Sequence, residues 1–226
     1  MLEKINGNIE NPNNQKWQEA KKLVQKIRPT GIGGTDANKL VHGDSWLDLY
    51  NEKLGHTEPV DLSDVLPVQM GIHTEDLNRQ WFMKQSHNFV TEEQTLWYND
   101  YIYGTVDGIV HENVDNDPNA IDTRHGDPFA VFEAKHTHAF NLSEKKQVEF
   151  VNKYYPQVQH YMLVTKYPKT FLSVFFGNME YRSIEIQQDK KFQAMLLKAH
   201  KVFWKAVQNK EPIDTNWKEF HGILSE

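Results

Sequence analysis

Between Gly104 and Lys135 the sequence sets charge where a buried sheet is expected. Gly104-Thr105-Val106-Asp107-Gly108-Ile109-Val110 reads as two extended runs with an acid at the turn between them. Phe129-Ala130-Val131-Phe132-Glu133-Ala134-Lys135 is a further apolar run carrying an acid and a lysine at its end. Side chains alternate along a strand, so Glu133 and Lys135 share one face and Phe132 and Ala134 the other. Unpaired charge in a sheet interior is costly. Two readings meet that cost. One is an ordinary Glu–Lys ion pair with Asp107 as a turn residue. The other is a divalent cation held by oxygen ligands. For an isolated Glu-x-Lys the ion pair is the commoner case, so the rest of the chain has to decide.

The chain has 226 residues, enough for one large domain with a sizeable core. It contains no cysteine. Disulfides, thiolate zinc sites and cysteine-ligated iron–sulfur clusters are excluded, and a cytoplasmic location is expected. No apolar run reaches the ~18 residues of a membrane span. Residues 1–15 form a polar, Asn-rich segment without the apolar stretch of a signal peptide. The net charge of −6 argues against a simple basic DNA-coating protein. The acid is uneven, however. From His111 to Asp127 five acids (Glu112, Asp115, Asp117, Asp122, Asp127) face one Arg124, which leaves the remainder near neutrality and allows a local basic patch.

Taken in order, Lys16 to Ile27 has helical apolar spacing (Trp17, Ala20, Leu23, Val24, Ile27) and stops at Arg28-Pro29. Gly31-Ile32-Gly33-Gly34-Thr35-Asp36 follows, with Thr35 or Asp36 as N-cap of a short helix through Leu40. A glycine turn into a helix start is a ready anion site, and Arg28 just upstream offers a guanidinium. It is not a Walker loop, because no Gly-Lys-Ser/Thr follows. Ser45 caps a helix from Trp46 to Leu54, stopped by Gly55. Pro67 to Gln85 reads as a longer helix whose apolar stripe is Met70, Leu77, Trp81 and Phe82, with Glu75 beside it. Phe89-Val90, Thr95–Tyr98, Tyr101–Val106 and Ile109-Val110 read as strands of one sheet, turning at Asn99-Asp100. An acidic loop occupies 111–128. His136 and His138 close a strand rather than forming a zinc site. Leu142–Tyr154 reads as one helix, and Pro156 opens another over Gln157–Val164. Phe171–Phe176 and Arg182–Ile186 form a hairpin around Gly177-Asn178, and Asp189–Lys210 is a long amphipathic helix. Trp217 and Phe220 lie in a tail, 213–226.

With these pieces in place the chain resembles the lambda-exonuclease family (YqaJ-type viral recombinases) of the PD-(D/E)xK nuclease superfamily. The residues that carry the likeness come in the family's order. They are Arg28 with Gly31-Ile32-Gly33-Gly34-Thr35-Asp36-Ala37, then Leu49-Tyr50-x-x-Lys53-x-Gly55, and Gly71-x-x-x-Glu75. Val106-Asp107-Gly108, Glu133-Ala134-Lys135, Tyr155-x-Gln157-Val158-Gln159-His160-Tyr161 and Phe203-Trp204 follow. Two positions depart from it: Thr105-Val106 stands where the family has Ser-Pro, and Thr35 where it has serine. The acidic loop is also longer than the family pattern.

The resemblance implies an α/β (α+β) fold with a restriction-endonuclease-like core, a central mixed sheet flanked by helices, in one nuclease domain over 1–226. It implies a Mg²⁺-dependent 5′-to-3′ exonuclease on double-stranded DNA that leaves a 3′ single strand for an annealing partner protein. Mn²⁺ is expected to substitute, with one or two ions per site. Asp107, Glu133, the Ala134 carbonyl and Glu75 are the implied metal ligands. Asp107, Glu133, Lys135 and Gln157 are the implied catalytic set. Arg28, Thr35 and Thr105 are the implied pocket for a 5′-phosphate. Several members of the family form ring-shaped trimers, so a homo-oligomer is expected, at work in the cytoplasm of a phage's or prophage's bacterial host. The rival readings are a restriction-like endonuclease on the same fold, a catalytically silent DNA-end-binding module, and a structural scaffold of a phage-type complex. An iron–sulfur nuclease is disfavoured by the missing cysteines.

Overall fold

The computed structural model describes residues 3–5, 22–23, 25–42, 46–58, 60–91, 95–113, 125–138 and 144–211. Two sheets share the chain. The larger has five strands in the order β2 (Phe89–Thr91), β5 (Gly108–Asn113), β6 (His125–Thr137), β7 (Lys169–Phe176), β8 (Glu180–Gln187). The smaller joins β1 (Glu3–Ile5), β3 (Thr95–Asn99) and β4 (Ile102–Val106). β6 is the central strand of the larger sheet. It pairs antiparallel with β5 and parallel with β7. Parallel neighbours require a crossover, here the helix Glu144–Thr165. Two short helices, α1 (Gly34–His42) and α2 (Trp46–Lys53), and a longer one, α3 (Leu66–Ser86), precede it; we number the crossover helix α4, and α5 is Lys190–Asn209.

Alternation along β6 assigns its two faces. Phe132 packs toward α3, with ring centroids 5.1 Å from Phe82. Val131 and Glu133 turn to the opposite face, where Val158 and Met162 of α4 cover Leu172 and Val174 of β7. α5 closes the core with Leu196, Ala199, Phe203 and Val207, and its start is capped by Asp189, which accepts from the Phe192 N–H at 2.9 Å.

A mixed sheet flanked by helices is the expected architecture. Several local expectations are corrected. β4 and β5 do not continue one sheet; they belong to different sheets, and Asp107 is the single residue between them. The polar N-terminal segment contributes Glu3–Ile5 as an edge strand on β3. The expected acidic loop is shorter at both ends, because β5 runs to Asn113 and β6 starts at His125. α4 is one helix with Pro156 inside it, not two helices. In α3 the expected stripe is not the buried face. Of that stripe Phe82 is buried, but Met70, Leu77 and Trp81 are 44%, 52% and 41% exposed, and Asn78 and Arg79 are buried in their place. Asn78 can occupy that face because both ends of its amide are matched, as described below. The helix α1 begins at Gly34, so neither Thr35 nor Asp36 is its N-cap. Asp36 accepts from the N–H of Gly33 at 2.9 Å, the reciprocal contact of a capping box. Trp17, Ser45, residues 114–124 and the tail with Trp217 and Phe220 lie outside the described residues.

Candidate active site

The switch between sheets sets Asp107 beside β6. Its Oδ2 accepts from the Ala134 N–H at 2.8 Å, a side-chain strap from the corner to the central strand. In an extended strand a residue's N–H and C=O leave on the same side, so the Ala134 carbonyl also points past the end of β5 toward this corner. Gly108 lets the corner close: a Cβ there would run into Val90 Cγ1 and the Thr91 carbonyl of β2.

Glu133 is 2% exposed and faces α4. Its Oε1 accepts from Lys135 Nζ and from Gln157 Nε2, the latter at 2.9 Å. Its Oε2 is buried on the side of Asp107, and no N–H or hydroxyl donor among the described residues reaches it. Burial first, and then the adjacent Asp107 carboxylate, push the Glu133 carboxyl up to about 8, against the pull of Lys135. Burial alone would lower the pKa of the Lys135 ammonium; Glu133 and Asp107 outweigh it and raise it above the usual lysine range. The ammonium also lies 5.2 Å from the centre of the Tyr154 ring. Two neighbouring carboxylates, one with an unfilled buried oxygen, form a donor set suited to a hard divalent cation. Among the described residues no three His, Asp or Glu side chains gather closely enough to hold a metal ion. The side-chain donors brought together here are therefore the Asp107–Glu133 pair.

Gln157 follows a proline inside α4. Pro156 has no N–H and disturbs the ladder of α4 around it. The Gln157 N–H donates to Asn38 Oδ1 at 2.9 Å, and the Lys153 carbonyl meets His42 Nε2 at 3.2 Å. Both partners are on α1, one turn apart. Gln157 Nε2 also donates to the Tyr161 hydroxyl at 2.8 Å. The Tyr161 ring fits between Gly34 and Gly104; a Cβ on Gly104 would lie 2.8 Å from its Cδ1. The glycines of the Gly33-Gly34 turn thus admit aromatic rings, Tyr103 against Gly33 and Tyr161 against Gly34.

The remaining expected residues stand around this centre. Glu75 is half-buried on α3, one turn before Asn78. Asn78 donates to the carbonyls of Lys135 at 3.2 Å and Ser173 at 3.1 Å and accepts from the Ser173 hydroxyl, which holds the end of β6 against β7. Arg28 pairs with Glu52 at 3.3 Å, and Thr35 is exposed in the first turn of α1. Thr105 is half-buried on β4, two residues before Asp107. Beneath the Gly33 turn, Lys53 donates to buried Asp36 at 2.7 Å and to the Arg28 carbonyl at 2.7 Å. His136 bridges Thr74 (3.0 Å) and the Gly177 carbonyl (2.9 Å), a structural tie between α3 and the β7–β8 turn. The sequence did not point to Asn38 or Asn78, whose side chains carry no periodic signal and whose partners are remote in the chain, whereas Tyr161 stands one turn after Gln157 in the run that carries the family likeness.

A mixed sheet with a corner aspartate, a Glu-x-Lys on the neighbouring strand and a glutamine helix above it has the fold of the alkaline exonucleases. The alkaline exonuclease LHK-Exo from Laribacter hongkongensis superposes with a TM-score of 0.61 at 14% identity, over 91% of this chain and 100% of that one. Its complex with dAMP gives the same TM-score at 15% identity, over 84% and 93% of the two chains. A phage-related exonuclease from Haemophilus somnus 129PT gives 0.56 at 11% identity, over 79% and 92%. Over residues 24–168 the sequence matches the YqaJ-like viral recombinase domain, and the chain belongs to that family. It is also 30% identical over 187 residues to the uncharacterized protein YqaJ of Bacillus subtilis (strain 168), a match that takes in 78% of this chain. The chain spans about half the length of that curated relative, 53%.

Proposed function

We propose that this protein is a DNA nuclease, and in particular a Mg²⁺-dependent exonuclease that digests the 5′-ended strand of duplex DNA and leaves a 3′ single strand for an annealing protein. The observation that carries the reading is the state of Glu133: one oxygen saturated by Lys135 and Gln157, the other buried and unfilled beside Asp107. Membership of the viral recombinase family and the exonuclease fold support it, and 5′-to-3′ polarity follows the family likeness. The dAMP held by LHK-Exo supports a nucleotide as ligand.

Asp107, Glu133 and the Ala134 carbonyl would hold the cation, with Mn²⁺ as a substitute, and Glu75, which does not gather with that pair, would serve a second ion. When bound, Mg²⁺ supplies a water of lowered pKa and neutralises charge at the reacting phosphate. The protein's own groups do the rest. Lys135, kept protonated by the two carboxylates, orients the attacking water and offsets phosphate charge. Gln157 holds Glu133 Oε1 from above. Arg28, Thr35 and Thr105 form the pocket for a 5′-phosphate, Arg28 giving up part of its pairing with Glu52 to do so. Assembly into a homo-oligomer, as in the family's ring trimers, belongs to the same reading.

The test is digestion of linear duplex DNA in Mg²⁺, with 5′-phosphorylated and 5′-hydroxyl ends, beside a closed circle. Progressive loss of the 5′-phosphorylated strand with the circle spared is expected. A cut circle would instead identify an endonuclease, and DNA bound without cleavage in Mg²⁺ or Mn²⁺ a silent end-binding module.

A further inference from the structure

We infer that Asn38 is a positioning residue of this site: it fixes which end of the Gln157 amide faces Glu133. The inference rests on the nuclease reading for its effect on rate, but the geometry stands apart from it. A glutamine amide has a donor end and an acceptor end that differ little in shape, so its orientation is set by its partners. Here the order is set by a group that has no choice. The backbone N–H of Gln157 can only donate, and it donates to Asn38 at 2.9 Å, so that atom of Asn38 is the amide oxygen. The other end of Asn38 is then the NH₂. It donates to the Gln157 side chain at 3.2 Å, so the atom it meets is Gln157 Oε1. The opposite end of Gln157 is its NH₂, which supplies both remaining contacts, to Glu133 Oε1 at 2.9 Å and to Tyr161 Oη at 2.8 Å.

The consequence reaches the carboxylate. With Gln157 donating, Glu133 Oε1 receives two donors and the unfilled Oε2 is the one left for a cation. With Gln157 reversed, an amide oxygen would face the carboxylate oxygen, a repulsion in a buried place. The arrangement depends on Pro156, because the disturbed helix is what makes the Gln157 N–H available to a side chain on α1.

Asn38→Asp separates this role from plain support of the helix. A carboxylate still accepts from the Gln157 N–H but cannot donate to Gln157 Oε1. Two readouts decide. In the metal-free protein with ¹⁵N-labelled glutamine, the Gln157 side-chain amide protons should exchange slowly and shift on Asn38→Asp, with faster exchange. An unchanged Gln157 signal overturns the inference whether or not the protein cleaves DNA. In digestion of linear duplex, Asn38→Asp and Asn38→Ala should each lower kcat about tenfold with the melting curve of Asn38→Asp near wild type. In a Gln157→Ala background the same substitutions should change kcat less than about twofold, since residues acting through one another are non-additive. A full tenfold loss in both backgrounds overturns the inference while leaving the nuclease reading intact. A wild type that cleaves nothing overturns the nuclease reading, and the amide signal still decides the positioning.

Discussion

Glu133 is the centre of the proposed site: its Oε1 accepts from Lys135 and Gln157, and its Oε2 accepts from neither. Asp107→Ala, Glu133→Ala and Lys135→Ala should each reduce cleavage by about 10³-fold or more while the circular dichroism spectrum is kept. A variant within tenfold of wild type would remove that residue from the site. Arg28 carries a separate expectation. Arg28→Ala should reduce the preference for 5′-phosphate over 5′-hydroxyl ends without reducing the rate on the hydroxyl end, and competition between the two substrates measures it. Lys53 is a residue of support. It is buried with Asp36, and both Gly33 and the Arg28 carbonyl hang on the pair. Lys53→Met would leave Asp36 charged and unpaired in the interior. A loss of about 3–5 kcal/mol in urea unfolding is expected, against almost none for an exposed lysine such as Lys198.

At the scale of elements, α4 and α1 behave as one unit. α1 takes up the two backbone groups of α4 beside Pro156 and places Gly34 against the Tyr161 ring. Gly34→Ala should push that ring against its neighbours and cost about 1–3 kcal/mol, seen as a lowered melting temperature with a lowered cleavage rate. The strands were the legible part of the sequence. Glu133 and Lys135 share a face because a strand has period two, and the structure joins them in an ion pair. The β7–β8 hairpin turns at Gly177, whose φ is +58°. What the sequence hid was set by distant partners. Pro156 read as a helix start because nothing local shows that Asn38 and His42 will serve the disturbed ladder. Met70, Leu77 and Trp81 read as core because apolar spacing does not say that Asn78 will be matched by two strand carbonyls. The break between β4 and β5 was hidden for the same reason, since strand partners are chosen across the chain.

For the whole molecule the clearest expectation concerns acid. His160 and His200 are buried together, ring centroids 5.1 Å apart, with His160 Nε2 on the Tyr103 carbonyl at 2.7 Å. Burial lowers His160 to about 4, partly opposed by the Tyr103 carbonyl and by Asp36. Burial and then His160 lower His200 well below the usual range. Below about pH 6.5 the unfolded chain binds protons that the folded one refuses. Stability is therefore complete above that pH and falls as the pH drops toward 4, by about 3 kcal/mol for His160 alone. His200→Phe should flatten the slope of unfolding free energy between pH 7 and 4.5, and an unchanged slope would count against this account. The contact between Asn38 and Gln157 has a kinetic side as well. It closes 119 residues of chain, at a larger entropic cost than the 27 residues closed by Asp107 on Ala134. A refolding chain can form the corner at Asp107 before α1 has docked, and at that stage the carboxylates lack the amide that orients them. On the proposed nuclease reading, the last tenfold of the cleavage rate should return only when α1 has docked.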